Sequence, residues 1–344
     1  MPAAPPLARP PLRTATGRPT RRRFAVGAGA LTTAGLLTAC GNGSGGNGSG
    51  GGDTGTAGGG SGSLRFTYGG ADVTVPREPR RVVTIQGRID LEMALLAGYP
   101  VVGSGNAWMP SARVGSQFTG VTLPKVTTVG LGDGTQVDYE QILGLDPDLI
   151  LMPQFGYESD WYGNKRLEEI APVLGVAEDP VDWRGATARQ LRILGRERQF
   201  RTRIETFDTA LARLRPRLGE KLGGRKIAFG VVTETGFTVW TRSITSSVAK
   251  EAGLDPLFHD PKDEKNSFEL SAEQFDRLER ADVIIRQAVA PGAAKTLDAR
   301  PTWKQLPAVR NRKVVTMDGR FSSGLVLTAT GFLDVLNEAA ELYS

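Results

Sequence analysis

One helix–strand phrase occurs twice in this chain, and it restricts the possible folds more than any other feature. Glu140-Gln141-Ile142-Leu143-Gly144-Leu145 followed by Asp148-Leu149-Ile150-Leu151 is echoed by Glu273-Gln274-Phe275-Asp276-Arg277-Leu278 followed by Asp282-Val283-Ile284-Ile285, with one residue inserted between helix and strand. Asp138 with Gln141, and Ser271 with Gln274, give both copies capping-box spacing. Any α/β protein offers short phrases of this kind. A Glu-Gln pair in the first helical turn of both copies favours duplication into two lobes of similar build.

The surroundings of the first copy alternate in the same way. Arg81-Val82-Val83-Thr84-Ile85 reads as a buried strand, Ile89 to Ala97 as a helix closed by Gly98, and Val101-Val102-Gly103 and Val126 to Val129 as further strands. Asp138 opens the next helix, Pro147 breaks it, and Leu149 to Met152 forms another strand. Such alternation predicts an α/β fold of two Rossmann-like lobes with mainly parallel sheets. Between the lobes, Phe200, Ile204, Phe207, Leu211, Leu214 and Leu218 step by four and three along one helical stripe. With Leu191 and Leu194 upstream, the spacing predicts one long helix of about thirty residues, about 45 Å. A coiled-coil seam is the competing reading, but the stripe spans only about three heptads. The expected boundaries are a lobe at 64–185, a connecting helix at 186–219 and a second lobe at 220–344.

The amino-terminal sixth is of another kind. Arg21-Arg22-Arg23-Phe24 precedes a short apolar stretch, which ends at Leu37-Thr38-Ala39-Cys40-Gly41. Twin arginine, apolar run and small residues before a cysteine read as a twin-arginine lipoprotein signal over 1–39, with Cys40 lipidated. A chance cysteine after a transmembrane helix is the alternative, but the run is too short and glycine-rich to span about 30 Å of hydrocarbon. Residues 40–63 are almost entirely Gly, Ser, Asn and Thr, a tether unable to bury enough apolar surface to order itself. The expected location is therefore the outer face of a bacterial cell membrane.

Charge follows the same division. The whole chain carries +5, yet residues 1–39 hold six arginines and no Lys, Asp or Glu, so the remainder carries −1. The basicity belongs to the leader, and a nucleic-acid partner is not supported. Cys40 is the only cysteine, so no thiol remains for a disulfide, zinc site or nucleophile.

Enzyme signatures are missing. His259 is the only histidine and lies in a polar stretch, as a solvated loop residue would. No Gly-x-Ser-x-Gly elbow, Walker loop or His-Glu-x-x-His helix occurs, and Gly130-Leu131-Gly132-Asp133-Gly134 misplaces the third glycine of a dinucleotide loop. A carboxylate-pair hydrolase stays open on sequence, because Asp and Glu are too common to count.

The lipoprotein signal, tether, two α/β lobes and long connector together resemble ABC-transporter solute-binding proteins of the iron-siderophore and cobalamin class. The residues that carry the resemblance are Pro79 to Ile85 with Leu91 to Val102, and Tyr139 to Leu143 with Asp146-Pro147-Asp148-Leu149-Ile150. In the second half they are Leu270 to Gln274 with Ala281 to Ile284, and Trp303 to Val309 before Val314-Val315. Each is moderately specific, and their order and spacing across the body, Leu64 to Ser344, make them strong together. The resemblance implies a monomeric, non-enzymatic component of an importer that captures a ferric siderophore in a cleft between its lobes and delivers it to an ABC permease dimer. Cobalamin or haem is the alternative ligand, and a surface receptor or interaction lipoprotein without a permease the alternative role. Relatives that bind bare metal ions use several imidazoles, which one histidine cannot supply. No cofactor is expected, and iron arrives only inside a chelated ligand.

The cleft should gather loops leaving the carboxyl ends of strands. This selects Arg88, Trp108, Tyr157, Trp161 and Tyr162 in the first lobe, and Trp240, Arg242, Arg286 and Phe321 in the second. Aromatic walls and guanidinium groups suit an organic chelate with partly anionic oxygens. Ordinary packing is the competing reading for each, most strongly for Trp240 and Phe237, which alternate in a strand. In the resembling family, glutamates at the positions of Glu140 and Glu273 meet arginines of the permease. A carboxylate in a first helical turn also stabilises the helix dipole by about 0.3–1 kcal/mol with no partner at all.

Overall fold

Strand residues that alternate between two apolar environments build two separate sheets. The computed structural model describes residues 62–68, 71–106, 114–115, 118, 120–121, 123, 125–130, 137–233, 236–288, 292–317, 321 and 323–344, all belonging to the unit Gly55–Ser344. The twin-arginine segment, Cys40, the tether as far as residue 61, Ala107 with Trp108, and the turn at 131–134 lie outside the described residues.

A hairpin of β1 (Ser63–Tyr68) and β2 (Ala71–Pro76) precedes the first lobe. That lobe runs β3 (Val82–Thr84), α1 (Ile89–Ala97), β4 (Val101–Ser104), β5 (Thr127–Thr128), α2 (Tyr139–Gly144), β6 (Leu149–Pro153), α3 (Gln154–Glu158), α4 (Asn164–Glu168) and β7 (Val173–Val176). Its sheet is wholly parallel, in the order β5-β4-β3-β6-β7. Helices α5 (Trp183–Ile193) and α6 (Glu197–Leu222) then lead across.

The second lobe runs β8 (Lys226–Val232), β9 (Gly236–Trp240), α7 (Ile244–Glu251), β10 (Asp255–Pro256), β11 (Ser267–Ser271), a 3-10 helix (Ala272–Leu278), β12 (Val283–Ala288), α8 (Ala293–Ala299), α9 (Pro301–Gln305), α10 (Pro307–Arg310), β13 (Val314–Met317) and α11 (Val326–Glu341). Its sheet is mixed, in the order β11-β9-β8-β12-β13 with β10 alongside β8, and β9 runs antiparallel to both neighbours.

Leu149 and Leu151 face a central core, whereas Ile150 and Met152 face a smaller core of the first lobe. Ile227, Phe229, Val283 and Ile285 enter the same central core, whereas Ala228 and Ile284 face a core private to the second lobe. The strand period of two thus divides each sheet between a shared face and a private one. The shared core takes in α1, α5, α6, α7 and α11 and ties the lobes together. Trp183 meets Phe207 edge-on at 5.3 Å within it.

The connector departs from the single helix expected over residues 186–219. It is broken between Ile193 and Glu197, where Gly195 takes φ +70°. The Gly195 amide donates to Arg192 O and the Arg196 amide to Leu191 O, the pair of bonds that closes a helix on a left-handed glycine. The apolar stripe continues across the break because both helices pack on the same core, so periodicity alone does not reveal it.

The two copies of the repeated phrase also diverge. Asp138 accepts from the Gln141 amide at 2.9 Å, but the Gln141 side chain turns away to Gly130 N and Thr128 O. The second copy closes a reciprocal box between Ser271 and Gln274 yet winds as a 3-10 helix. Its apolar residues Ala272, Phe275 and Leu278 recur every three positions, the period of that helix, and Phe275 and Leu278 are buried.

Candidate functional site

The loop after β3 is built around a buried acid. Asp90 accepts from the amides of Gln86 at 2.6 Å, Arg88 at 2.9 Å and Leu91 at 2.9 Å, and burial raises its pKa against those bonds. Gly87 sits at φ +76°, and a Cβ there would lie 1.9 Å from Gly105 O. Only glycine permits this approach, and the loop it makes presents Arg88 at the head of α1. Burial pulls the Arg88 guanidinium below its ordinary pKa, opposed first by the carboxylate of Glu178. Beneath it, Gln86 donates from Nε2 to the Tyr162 hydroxyl at 3.3 Å.

Four residues along α1, Glu92 reaches into the second lobe. Its carboxylate accepts from the amides of Leu325 at 2.7 Å, Leu327 at 2.6 Å and Thr328 at 3.1 Å, and from the Thr328 hydroxyl at 2.6 Å. These are first-turn amides of α11, which lack partners inside their own helix, so one lobe caps a helix of the other. Sequence reading overlooked this acid. Its signal is an Asp and a Glu within Ile89-Asp90-Leu91-Glu92-Met93-Ala94-Leu95-Leu96-Ala97, a helix with no polar face on which to expose them.

A second crossing lies at the β7–α5 loop. Asp179 Oδ1 accepts from Arg242 Nη2 at 3.0 Å, and Arg242 Nη1 donates to Asn266 Oδ1 at 3.3 Å. Because β9 runs against β8, Trp240 and Arg242 leave the second sheet at the end opposite Gln287, not at the mouth it shares with Arg286. Arg242 nonetheless reaches across to Asp179, and Trp240 packs on the central core. Arg184 at the head of α5 adds a bidentate contact to Glu251, from Nε to Oε1 and from Nη2 to Oε2, and an ion pair to Asp208.

A family model for periplasmic binding proteins matches residues 102–321, through both lobes and this seam. The chain belongs to the periplasmic binding protein family. It is 26% identical over 264 residues to the ferric enterobactin-binding periplasmic protein FepB of Escherichia coli, a match covering 71% of this chain and 80% of that protein. The structure of a Bacillus subtilis periplasmic binding protein component of a Fep/Fec-like ferrichrome ABC transporter aligns with TM-score 0.62 at 20% identity, over 80% of this chain and 98% of that one. Staphylococcus aureus SirA, solved with staphyloferrin B, aligns with TM-score 0.62 at 18% identity, over 81% and 98%. These two structures share the fold. As a periplasmic binding protein, the chain works outside the cytoplasm.

Within this binding protein, the residues selected from sequence fall into distinct settings. Arg88 and Arg242 stand at the seam, linked through the neighbouring acids Glu178 and Asp179. Trp161 is 42% exposed in the turn after α3, and Phe155, six residues earlier within α3, is also exposed. Tyr157 is half-buried against the first lobe's private core, its hydroxyl donating to Glu168 Oε1 at 3.1 Å.

Three of the selected residues are buried. Tyr162 is 1% exposed, a core ring whose hydroxyl pKa burial pushes up to about 12. Arg286 is buried, gripping Asp298 through Nη1 at 2.5 Å and Nη2 at 2.8 Å and donating from Nε to Thr316. Strand alternation turns it onto Trp303, away from the shared face. Phe321 is buried against Phe332 in the central core. Trp240 is half-buried on that core, and Phe237 packs on Trp303 at 5.5 Å. His259 is half-buried rather than solvated, with Nδ1 3.1 Å from Ser246 Oγ, and burial lowers its pKa.

Glu140 and Glu273 are both exposed, each in the first turn after a capping residue. A hydrogen bond from Ser271 holds the Glu273 carboxyl below its ordinary pKa. Among the described residues, no group of three or more His, Cys, Asp or Glu is placed to hold a metal ion, and no helix is long and apolar enough to cross a membrane. A concavity of about 430 Å³ lined by Arg225, Asp282, Lys313 and Tyr343 lies at the amino ends of β8, β12 and β13, remote from the β12 carboxyl end.

Proposed function

We propose that this chain is the substrate-binding component of an ABC importer, that it captures a ferric siderophore between its lobes, and that it hands the complex to a membrane permease. The observation that carries the reading is a family match spanning both lobes, joined to a relative named for binding ferric enterobactin. The residues are suited to the task. Trp161 and Phe155 offer exposed apolar faces, and Arg88 and Arg242 offer guanidinium groups at the seam. The protein acts by binding, without catalysis and without a resident cofactor, and iron enters as cargo. Cys40 carries the lipid anchor, the segment to residue 63 is the leash, and the molecule works as a monomer.

Titration of the mature protein with iron-loaded hydroxamate, catecholate and citrate-type chelates, followed by tryptophan fluorescence, tests the ligand. Quenching by at least one ferric chelate is expected. A flat response to all of them, with quenching by cobalamin or haem, would overturn the ferric reading. Loss of iron uptake on deletion, restored by the wild-type chain but not by Cys40→Ala, tests transport and anchoring together.

A further inference from the structure

Two consecutive acids, Glu178 and Asp179, leave β7 and enter the seam beside the arginines best suited to an anionic ligand. Asp179 takes Arg242 at 3.0 Å from the opposite lobe. It does not swing freely, because the same oxygen accepts from the Val181 amide at 3.0 Å and the Asp182 amide at 3.1 Å. Glu178 is the foremost charge opposing the desolvation of Arg88. Arg286, the third guanidinium selected from sequence, is held by Asp298. Each of these three arginines is therefore matched by a carboxylate of this chain, and among the described residues the trio supplies no surplus positive charge.

Ligand charge then decides fit. In a ferric trishydroxamate the ligand anions cancel the charge of the metal. In a ferric tris-catecholate the phenolate oxygens outweigh it and leave a trianion. A trianion at this seam would meet two carboxylates, one of them held in place by backbone amides, and compete with Asp179 for Arg242. Such like-charge juxtaposition is how interfaces reject a wrong partner.

Building on the proposed function, we infer that Glu178 and Asp179 are specificity-determining residues, a charge filter that favours ferric complexes without net negative charge over multiply anionic ones. The test measures affinities of wild type and the Glu178→Gln/Asp179→Asn variant for a neutral ferric trishydroxamate and a trianionic ferric tris-catecholate, at two ionic strengths. Gln and Asn keep an oxygen acceptor, so the Val181 and Asp182 amides stay satisfied. Wild type should prefer the neutral complex by about tenfold or more. The variant should shrink that preference by about tenfold, chiefly by tightening the trianion and most at low salt. Asp179→Asn alone, read the same way, serves if the double variant does not fold. A wild type that prefers the trianion, or a folded variant with an unchanged ratio, overturns the filter and leaves the transport reading standing. Binding of neither complex overturns the filter, and the transport reading is then decided by the citrate-type arm of the chelate titration.

Discussion

The hydroxyl of Thr328 donates to the carboxylate of Glu92 at 2.6 Å, and through this bond α1 of the first lobe caps α11 of the second. Two residues from different lobes thereby complete one helix terminus, with the amides of Leu325, Leu327 and Thr328 on the same carboxylate. The lobes are joined by buried polar chemistry as well as by the apolar core around it.

That arrangement makes stability depend on pH. Burial pushes the Glu92 carboxyl up to about 7 from 4.5, while its four donors pull the other way. The folded chain holds this proton more tightly than the unfolded chain, so the group's contribution is full below pH 4.5 and is lost as pH rises through 7. Urea melts across that window should fall with rising pH in wild type and lose that slope in Glu92→Gln. The variant should also be less stable by about 2–3 kcal/mol at neutral pH, because its amide nitrogen faces donors rather than accepting from them. Parallel pH curves for the two proteins would contradict the assignment.

Gly87 is the backbone condition for Arg88. With φ +76° and a Cβ that would stand 1.9 Å from Gly105 O, Gly87→Ala must move the β3–α1 loop. A loss of about 2 kcal/mol or more in denaturant melts is expected, accompanied by weaker ligand binding because the next residue moves with it. An alanine variant with wild-type stability and affinity would show that the loop tolerates the shift.

Closure on loading should be small. The central core runs from Leu149 and Leu151 through α6 to Phe229 and Ile285, so no loop hinge is free to open it. The break at Gly195 does not change this, because α5 and α6 pack on the same core. Small-angle scattering of free and loaded protein should give nearly equal radii of gyration. Large compaction on loading would place a hinge in the seam.

Glu140 and Glu273 stand exposed at the starts of corresponding helices in the two lobes. If they are docking posts for the permease, Glu140→Ala/Glu273→Ala should leave ligand affinity within about twofold while abolishing uptake. Normal uptake by the double variant would leave them as helix-dipole partners alone.

Local order in this molecule was readable from sequence. The helix from Ile89 to Ala97 closes on Gly98 at φ 71°, and the strands after Arg81 and Asp148 lie within a residue or so of expectation. Helix caps and strand alternation are set by neighbours in the chain, so they survive without knowledge of the rest. The duplicated phrase announced two lobes for the same reason, although its second copy winds more tightly than its first.

The candidate site was readable only in part, because an aromatic or arginine at a strand end serves a core as readily as a ligand. Arg286 and Phe321 share the residue types of Arg242 and Trp161, yet the first pair is buried and the second stands at the seam or in solvent. What separates them is which face of a strand meets which helix, and that depends on pairings between distant segments. The bond from Glu92 to Thr328 spans 236 residues, and the pair Asp179–Arg242 spans 63. Sequence determined the elements and the chemistry available to them. Tertiary packing decided which charges meet, because a carboxylate finds its partner through the sheet order that brings two loops together, not through the order of residues along the chain.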